Sequence, residues 1–136
     1  MIPRIDAAAL IDPTHAGHHA ARDATRIGAS EVGFLTVYNT PIAAQTVADV
    51  IAQYRAFFHL PAAQKADYDM AKTGSNRGWG AAGSEQVDPN ANPDYKQVFD
   101  CGFEVAGSSE PCYAPNLWPQ EPADFQIIIE NYYARS

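Results

Sequence analysis

Two stretches of the chain place apolar residues at steps of three and four. The first carries Val47, Val50, Ile51, Tyr54, Phe57 and Phe58, a continuous stripe on one face of a helix. Thr40-Pro41 precedes it and supplies a capping hydroxyl followed by proline at the first helical position. Leu60-Pro61 ends it, and a short helix is expected through Lys65. The second stripe, beginning near Pro122, carries Phe125, Ile128, Ile129, Tyr132 and Tyr133. The first stripe is expected to face the core.

The remaining pattern is more broken. Residues 2–5 read as an edge strand, where Pro3 is tolerated. Asp12-Pro13-Thr14 reads as a turn with a helix cap, and residues 15–30 as an Ala-rich helix with His15, His19, Arg22 and Arg26 on its polar side. Gly33 breaks that helix, and residues 34–38 read as a buried strand. Residues 73–94 are polar and glycine-rich, hence loop. Residues 95–104 (YKQVFDCGFE) alternate in part and read as a strand, and a second loop covers 106–119. The fold class is therefore mixed α/β (α+β), one domain over residues 1–136. A few short strands cannot close a sheet, so exposed edges and one-sided helices call for cover.

Composition narrows the partners. The 136 residues are 46% apolar and 18% charged, enough apolar content to fold around one core. The net charge of −7, with only nine Lys and Arg, argues against nucleic acid and anionic membranes, which need clustered positive charge. No apolar run reaches the length of a membrane span. The opening MIPRIDAAALID has acidic residues where a signal peptide is basic and then apolar, so a cytoplasmic location is expected. Cys101 and Cys112 make no disulfide framework and are expected as free thiols.

Several motifs fail on physical grounds. GWGAAG (Gly78 to Gly83) matches G-x-G-x-x-G, with Asp100 near the place of a ribose-binding acid. That fingerprint works only between a buried strand and a helix, and neither is expected around it. His15, His18 and His19 include an i, i+4 pair that can bind zinc, but a third ligand is missing nearby; a solvated helix face is the better reading. His59, at a helix end, reads as a partner of the helix dipole. There is no G-x-S-x-G elbow, and neither cysteine has an adjacent histidine.

Six segments, in order, resemble one family. IPRID resembles its opening strand IPxID, and GFLTVYNTPI resembles GFFxVxNHGI. FFHLPAAQK resembles FFxLPxExK, and NRGWGAAGSE resembles the NRGYxxxGxE loop. DYKQVFDCGFE resembles D-x-K-E-x-F-x-x-G, and NLWP with DFQIIIENYY resembles N-x-W-P and the helix after it. Together they resemble the N-terminal region of the isopenicillin N synthase-like iron(II)- and 2-oxoglutarate-dependent oxygenases. The resemblance covers almost the whole chain.

The resemblance implies a set of short strands that extend the jelly-roll barrel of a C-terminal catalytic domain missing from this chain. In the family that barrel carries an H-x-D pair and a distant His for iron, and an Arg-x-Ser pair for 2-oxoglutarate. No H-x-D, H-x-E or Arg-x-Ser occurs here, so no catalytic or metal residue is assigned and Fe(II) and 2-oxoglutarate are expected only for the complete family member. Arg77 and Trp79 match the Arg-Gly-Tyr loop and are the candidate substrate-binding residues, with Trp replacing the family's Tyr. Arg77 either clamps a substrate carboxylate or pairs with Glu85 or Asp88 and pins the loop; the frequency of ion pairs favours the second. Thr40-Pro41 replaces the family's His-Gly.

Three functions remain open. The chain is a substrate-pocket-supporting N-terminal domain, inactive alone, or a stand-alone binding or regulatory module derived from that fold. A weaker alternative is a small metal-binding protein using His15, His18 and His19. Expected partners are the jelly-roll domain and, in the full enzyme, a small-molecule substrate. Without that domain, the stripe from Phe125 to Tyr133 lacks cover in part and invites self-association.

Overall fold

The computed structural model describes residues 1–84, 90 and 92–136. They divide into two compact units, residues 1–45 and 46–136.

The first unit begins with strand β1 (Arg4–Asp6), which runs straight into helix α1 (Ala7–Ile11). Asp6 makes that junction: its carboxylate accepts from the backbone N–H groups of Ala8 and Ala9, an N-cap the sequence reading missed. Asp12 accepts from both the N–H and the hydroxyl of Thr14, so the expected turn is present. Its helix, α2 (His18–Ile27), starts later than expected, behind Gly17 rather than a capping side chain. A wider π-type turn, Gly28–Val32, carries it to Gly33, whose φ of +79° ends it.

Strand β2 (Thr36–Tyr38) pairs with β1 in parallel, Ile5 opposite Val37. The expectation of a buried strand at 34–38 is corrected. Phe34 is 71% and Val37 52% exposed, because β2 belongs to a two-stranded sheet whose core (Ile5, Ala9, Ala21) lies on β1, α1 and α2.

The second unit is organised by helix α3 (Ala44–His59), whose first two residues belong to the first unit's span. The expected start at Thr40-Pro41 is corrected: the Thr40 hydroxyl donates to the Ile42 carbonyl in a turn, and the helix begins at Ala44. The stripe is narrower than the spacing implied. Phe57 is fully buried and Val50, Tyr54 and Phe58 pack beside it, whereas Val47 and Ile51 are exposed. His59 closes the helix by hydrogen-bonding the Arg55 carbonyl at 2.6 Å, as its position suggested.

Helix α4 (Ala62–Lys65) follows, then two single 3₁₀ turns, Ala66–Tyr68 and Met70–Lys72. Strands β3 (Gly78–Gly80) and β4 (Val98–Asp100) pair antiparallel, Trp79 opposite Phe99. The assignment of 73–94 to loop is therefore corrected at 78–80, where a buried strand runs through the glycine motif itself. Gly78 carries φ +114°, and a Cβ there would collide with the Tyr68 carbonyl, so no other residue fits. The described residues directly after this strand, 81–84, form a turn and no helix.

Helix α5 (Phe125–Tyr133) lays Phe125 and Ile129 into the same core as Phe57, Trp79 and Phe99. Phe57, Phe99 and Phe125 form a triangle with ring centroids 5.0, 5.1 and 5.5 Å apart, in edge-on and tilted arrangements that suit aromatic quadrupoles. The α5 stripe was expected to lack cover only in part: Phe125 and Ile129 are buried within this chain, and Ile128 and Tyr132 are half-buried. Ile127 and Tyr133 do stay exposed.

Candidate functional site

Arg77 stands immediately before β3, where Gly78 turns the chain, and its side chain reaches across to the exit of β4. There it lies over Gly102 so closely that a Cβ on Gly102 would occupy the place of the guanidinium. The guanidinium donates to three carbonyl oxygens: Cys112 at 2.7 Å, Phe103 at 3.3 Å and Ala114 at 3.4 Å. The alternative pairing with Glu85 or Asp88 falls outside the described residues.

Asn116 completes the arrangement. Its side-chain oxygen accepts from the Gly102 N–H at 2.9 Å, and its NH₂ donates to the Gly102 carbonyl at 2.8 Å. The amide thus replaces a neighbouring strand for one residue. Its own backbone N–H donates to Glu104 at 2.6 Å. Arg77, Gly102 and Asn116 come from three separate motifs of the sequence, and the structure gathers them at one point. The sequence reading singled out Arg77 but missed Gly102 and Asn116; the glycine ending D-x-K-E-x-F-x-x-G and the asparagine opening N-x-W-P were the available signals.

Trp79 is placed differently. It is buried beneath the ring cluster, its indole N–H donates to Gln97 at 3.0 Å, and the Lys65 ammonium lies over its ring. It is a core residue and lines none of the clefts described below.

A cleft of about 390 Å³ opens beside this lock, between the β4 exit (Cys101 to Glu104), the Asn116–Trp118 stretch and α5 (Ile129, Glu130, Tyr133). Its volume and largely apolar lining suit a small organic molecule or a protein side-chain cluster. A second hollow of about 380 Å³ adjoins Arg77 and is lined by Ser75, Asn76 and Cys112.

Both cysteines are free, as expected. Burial pushes the Cys101 thiol above its ordinary pKa; a hydrogen bond from Tyr54 and the nearby Arg77 charge oppose this only in part. Cys101 therefore stays a protonated thiol near neutral pH and is a poor nucleophile.

The histidine cluster gathers no metal site. His15 Nδ1 accepts from the Gly17 N–H at 3.0 Å, and His18 Nδ1 hydrogen-bonds the Ala9 carbonyl at 3.0 Å. Among the described residues no three His, Cys, Asp or Glu side chains come together to hold a metal. These residues do not fit an iron centre. No helix among them is long and apolar enough to cross a membrane.

Residues 2–121 match the family model described as non-haem dioxygenase in morphine synthesis, N-terminal. A 2-oxoglutarate-dependent dioxygenase, frbJ, of Dothideomycetidae sp. (strain 11243) is 35% identical over 77% of this chain and 29% of its own length. Another, eupC of Phoma sp., is 29% identical over 98% of this chain and 46% of its own. The chain thus spans less than half the length of these relatives. Among solved structures, a full-length Neurospora crassa protein in complex with alpha-KG and thymine superposes with TM-score 0.77 and 25% identity, over 98% of this chain and 43% of that one. The match over residues 2–121 and these relatives lead to one conclusion: the chain belongs to the non-haem dioxygenase N-terminal family, the N-terminal domain of the 2-oxoglutarate-dependent oxygenases.

Proposed function

We propose that this chain is the substrate-pocket-supporting N-terminal domain of an iron(II)/2-oxoglutarate oxygenase and carries no turnover alone. The reading is supported above all by one observation. The motifs of the family converge on a structural lock beside a ligand-sized cleft, while no described cluster suits a metal. In this reading a jelly-roll domain supplies iron, 2-oxoglutarate and the oxidising chemistry. Arg77 and Trp79 serve the substrate pocket by fixing its wall. The substrate is a small molecule, and the cleft beside α5 contributes to its surroundings.

A chimera tests this. Residues 1–136 would replace the corresponding region of the frbJ relative, a 2-oxoglutarate-dependent dioxygenase whose own activity provides the reference. The reading expects the folded chimera to keep measurable succinate formation with an altered substrate profile. A folded chimera with none overturns it.

A stand-alone module is the second reading. It is favoured by Phe125 and Ile129, which are buried against this chain's own residues.

A further inference from the structure

Residues 103–115 leave the end of β4 and return to Asn116, which ties the two ends of this segment together through Gly102 and the Glu104 carboxylate. Asn116 accepts from and donates to the backbone of Gly102 at 2.9 and 2.8 Å. A segment of this length with joined ends is a compact Ω-type loop, a class of roughly 6–16 residues packed by its own contacts. Such loops have few internal ladder bonds, so something must fix their shape.

Arg77 does so from outside the loop. One terminal nitrogen donates both to Phe103 on the outgoing limb and to Cys112 on the returning limb, and Nε donates to Ala114 farther along the return. The rigid fork thus makes all three bonds from two nitrogens held at a fixed spacing, a set that the single nitrogen of a lysine ammonium does not reproduce. Gly102 leaves room for the fork at the neck, since any Cβ there would meet it.

We propose that Arg77 is a positioning residue, a cross-brace that holds loop 103–115 in one shape. The loop then presents Phe103 and Glu104 as a fixed rim of the cleft beside α5, with Val105 and Tyr113 lining a further hollow of about 310 Å³ on the other side of Glu104. Phe103 is 62% and Tyr113 41% exposed, so the braced loop offers aromatic surface to whatever occupies that rim. Arg77 acts through the loop and does not grip a substrate carboxylate. The purpose of the rim rests on the function proposed above; the brace itself does not.

Hydrogen exchange on the whole chain tests it, read at the amides of Gly102 and Asn116 against those of α3 around Phe57. In Arg77→Ala, exchange at Gly102 and Asn116 should rise by about tenfold or more while the α3 amides stay unchanged, the mark of local opening. Arg77→Lys should behave like the alanine variant. Millimolar methylguanidinium should restore slow exchange in Arg77→Ala and leave Arg77→Lys unaffected. Gly102→Ala, which evicts the fork and keeps the charge, should also open the loop. Unchanged exchange at Gly102 and Asn116 in Arg77→Ala overturns the proposal. Full protection in Arg77→Lys overturns it too, because charge alone would then suffice. Equal acceleration of the α3 amides in both Arg77→Ala and Gly102→Ala also overturns it, since the loop would then not be separately braced. None of these readouts involves turnover, so an inactive chimera with this exchange pattern would count against the functional reading alone.

Discussion

The ammonium of Lys65 is buried, and its side-chain partner is the amide oxygen of Gln97, 2.7 Å away. The same oxygen accepts from the Trp79 indole at 3.0 Å, and Lys65 also donates to the Phe58 carbonyl at 2.9 Å. A cation is thus held by dipoles and an aromatic face where the related D-x-K-E-x-F pattern has a carboxylate. Both donors already point at one oxygen, so Gln97→Glu adds charge without moving an atom. It should stabilise the fold by about 1 kcal/mol. Gln97→Leu should cost about 2–4 kcal/mol, because it strands the ammonium and the indole N–H. Urea unfolding of the three proteins checks both signs.

Phe57 and Ile51 lie on one stripe of α3 but differ in burial, 0% against 52% exposed. Phe57→Ala should cost about 3–5 kcal/mol, since it removes one corner of the aromatic triangle. Ile51→Ala should stay within about 0.5 kcal/mol. Comparable losses at both positions in a denaturant titration would place the core elsewhere.

That contrast shows what periodicity reveals. The spacing of Val47 to Phe58 and of Phe125 to Tyr133 marked two helices and their general faces, and both exist. Spacing does not carry the width of the covered strip, which depends on how many elements arrive opposite. Thr40-Pro41 looked like a helix start because its hydroxyl suits a cap, but a local bond to Ile42 engages it first. Strand β3 was hidden because two of its three residues are glycine and the third is tryptophan. It pairs because Gly78 and Gly80 let neighbouring chains approach closely, a tertiary demand invisible to propensity. At the site, Arg77 was legible as a residue type in a motif. Its partners were not, because backbone carbonyls of Phe103, Cys112 and Ala114 leave no mark on the sequence.

Gly78→Ala should be among the costliest small substitutions in the chain. The methyl meets the Tyr68 carbonyl, and φ +114° is unfavourable for alanine. A loss of at least about 2 kcal/mol is expected, measured by thermal or urea unfolding. A near-neutral result would mean that the Arg77–β3 junction adopts another backbone path.

Tyr54 links α3 to the β4 exit through its hydrogen bond with Cys101. Burial, followed by the Cys101 and Asp100 charges, raises its pKa well above the ordinary 10.0. The folded state therefore favours the protonated phenol. Its contribution is complete below about pH 10 and declines as pH rises beyond the unfolded value. Stability measured from pH 8 upward should fall in the alkaline range, and Tyr54→Phe should flatten that fall. An identical alkaline limb in Tyr54→Phe would assign it to other groups.

On the proposed reading, this chain supplies pocket-supporting structure and a further domain supplies the metal chemistry. The most direct measurement is 2-oxoglutarate decarboxylation by the purified chain with Fe(II) and ascorbate, followed as succinate, alongside an Fe(II) titration. The account predicts no succinate above the protein-free control and no saturable iron binding, with His15→Ala/His19→Ala indistinguishable from the unaltered chain. Succinate formation that disappears on substituting residues of this chain would contradict it.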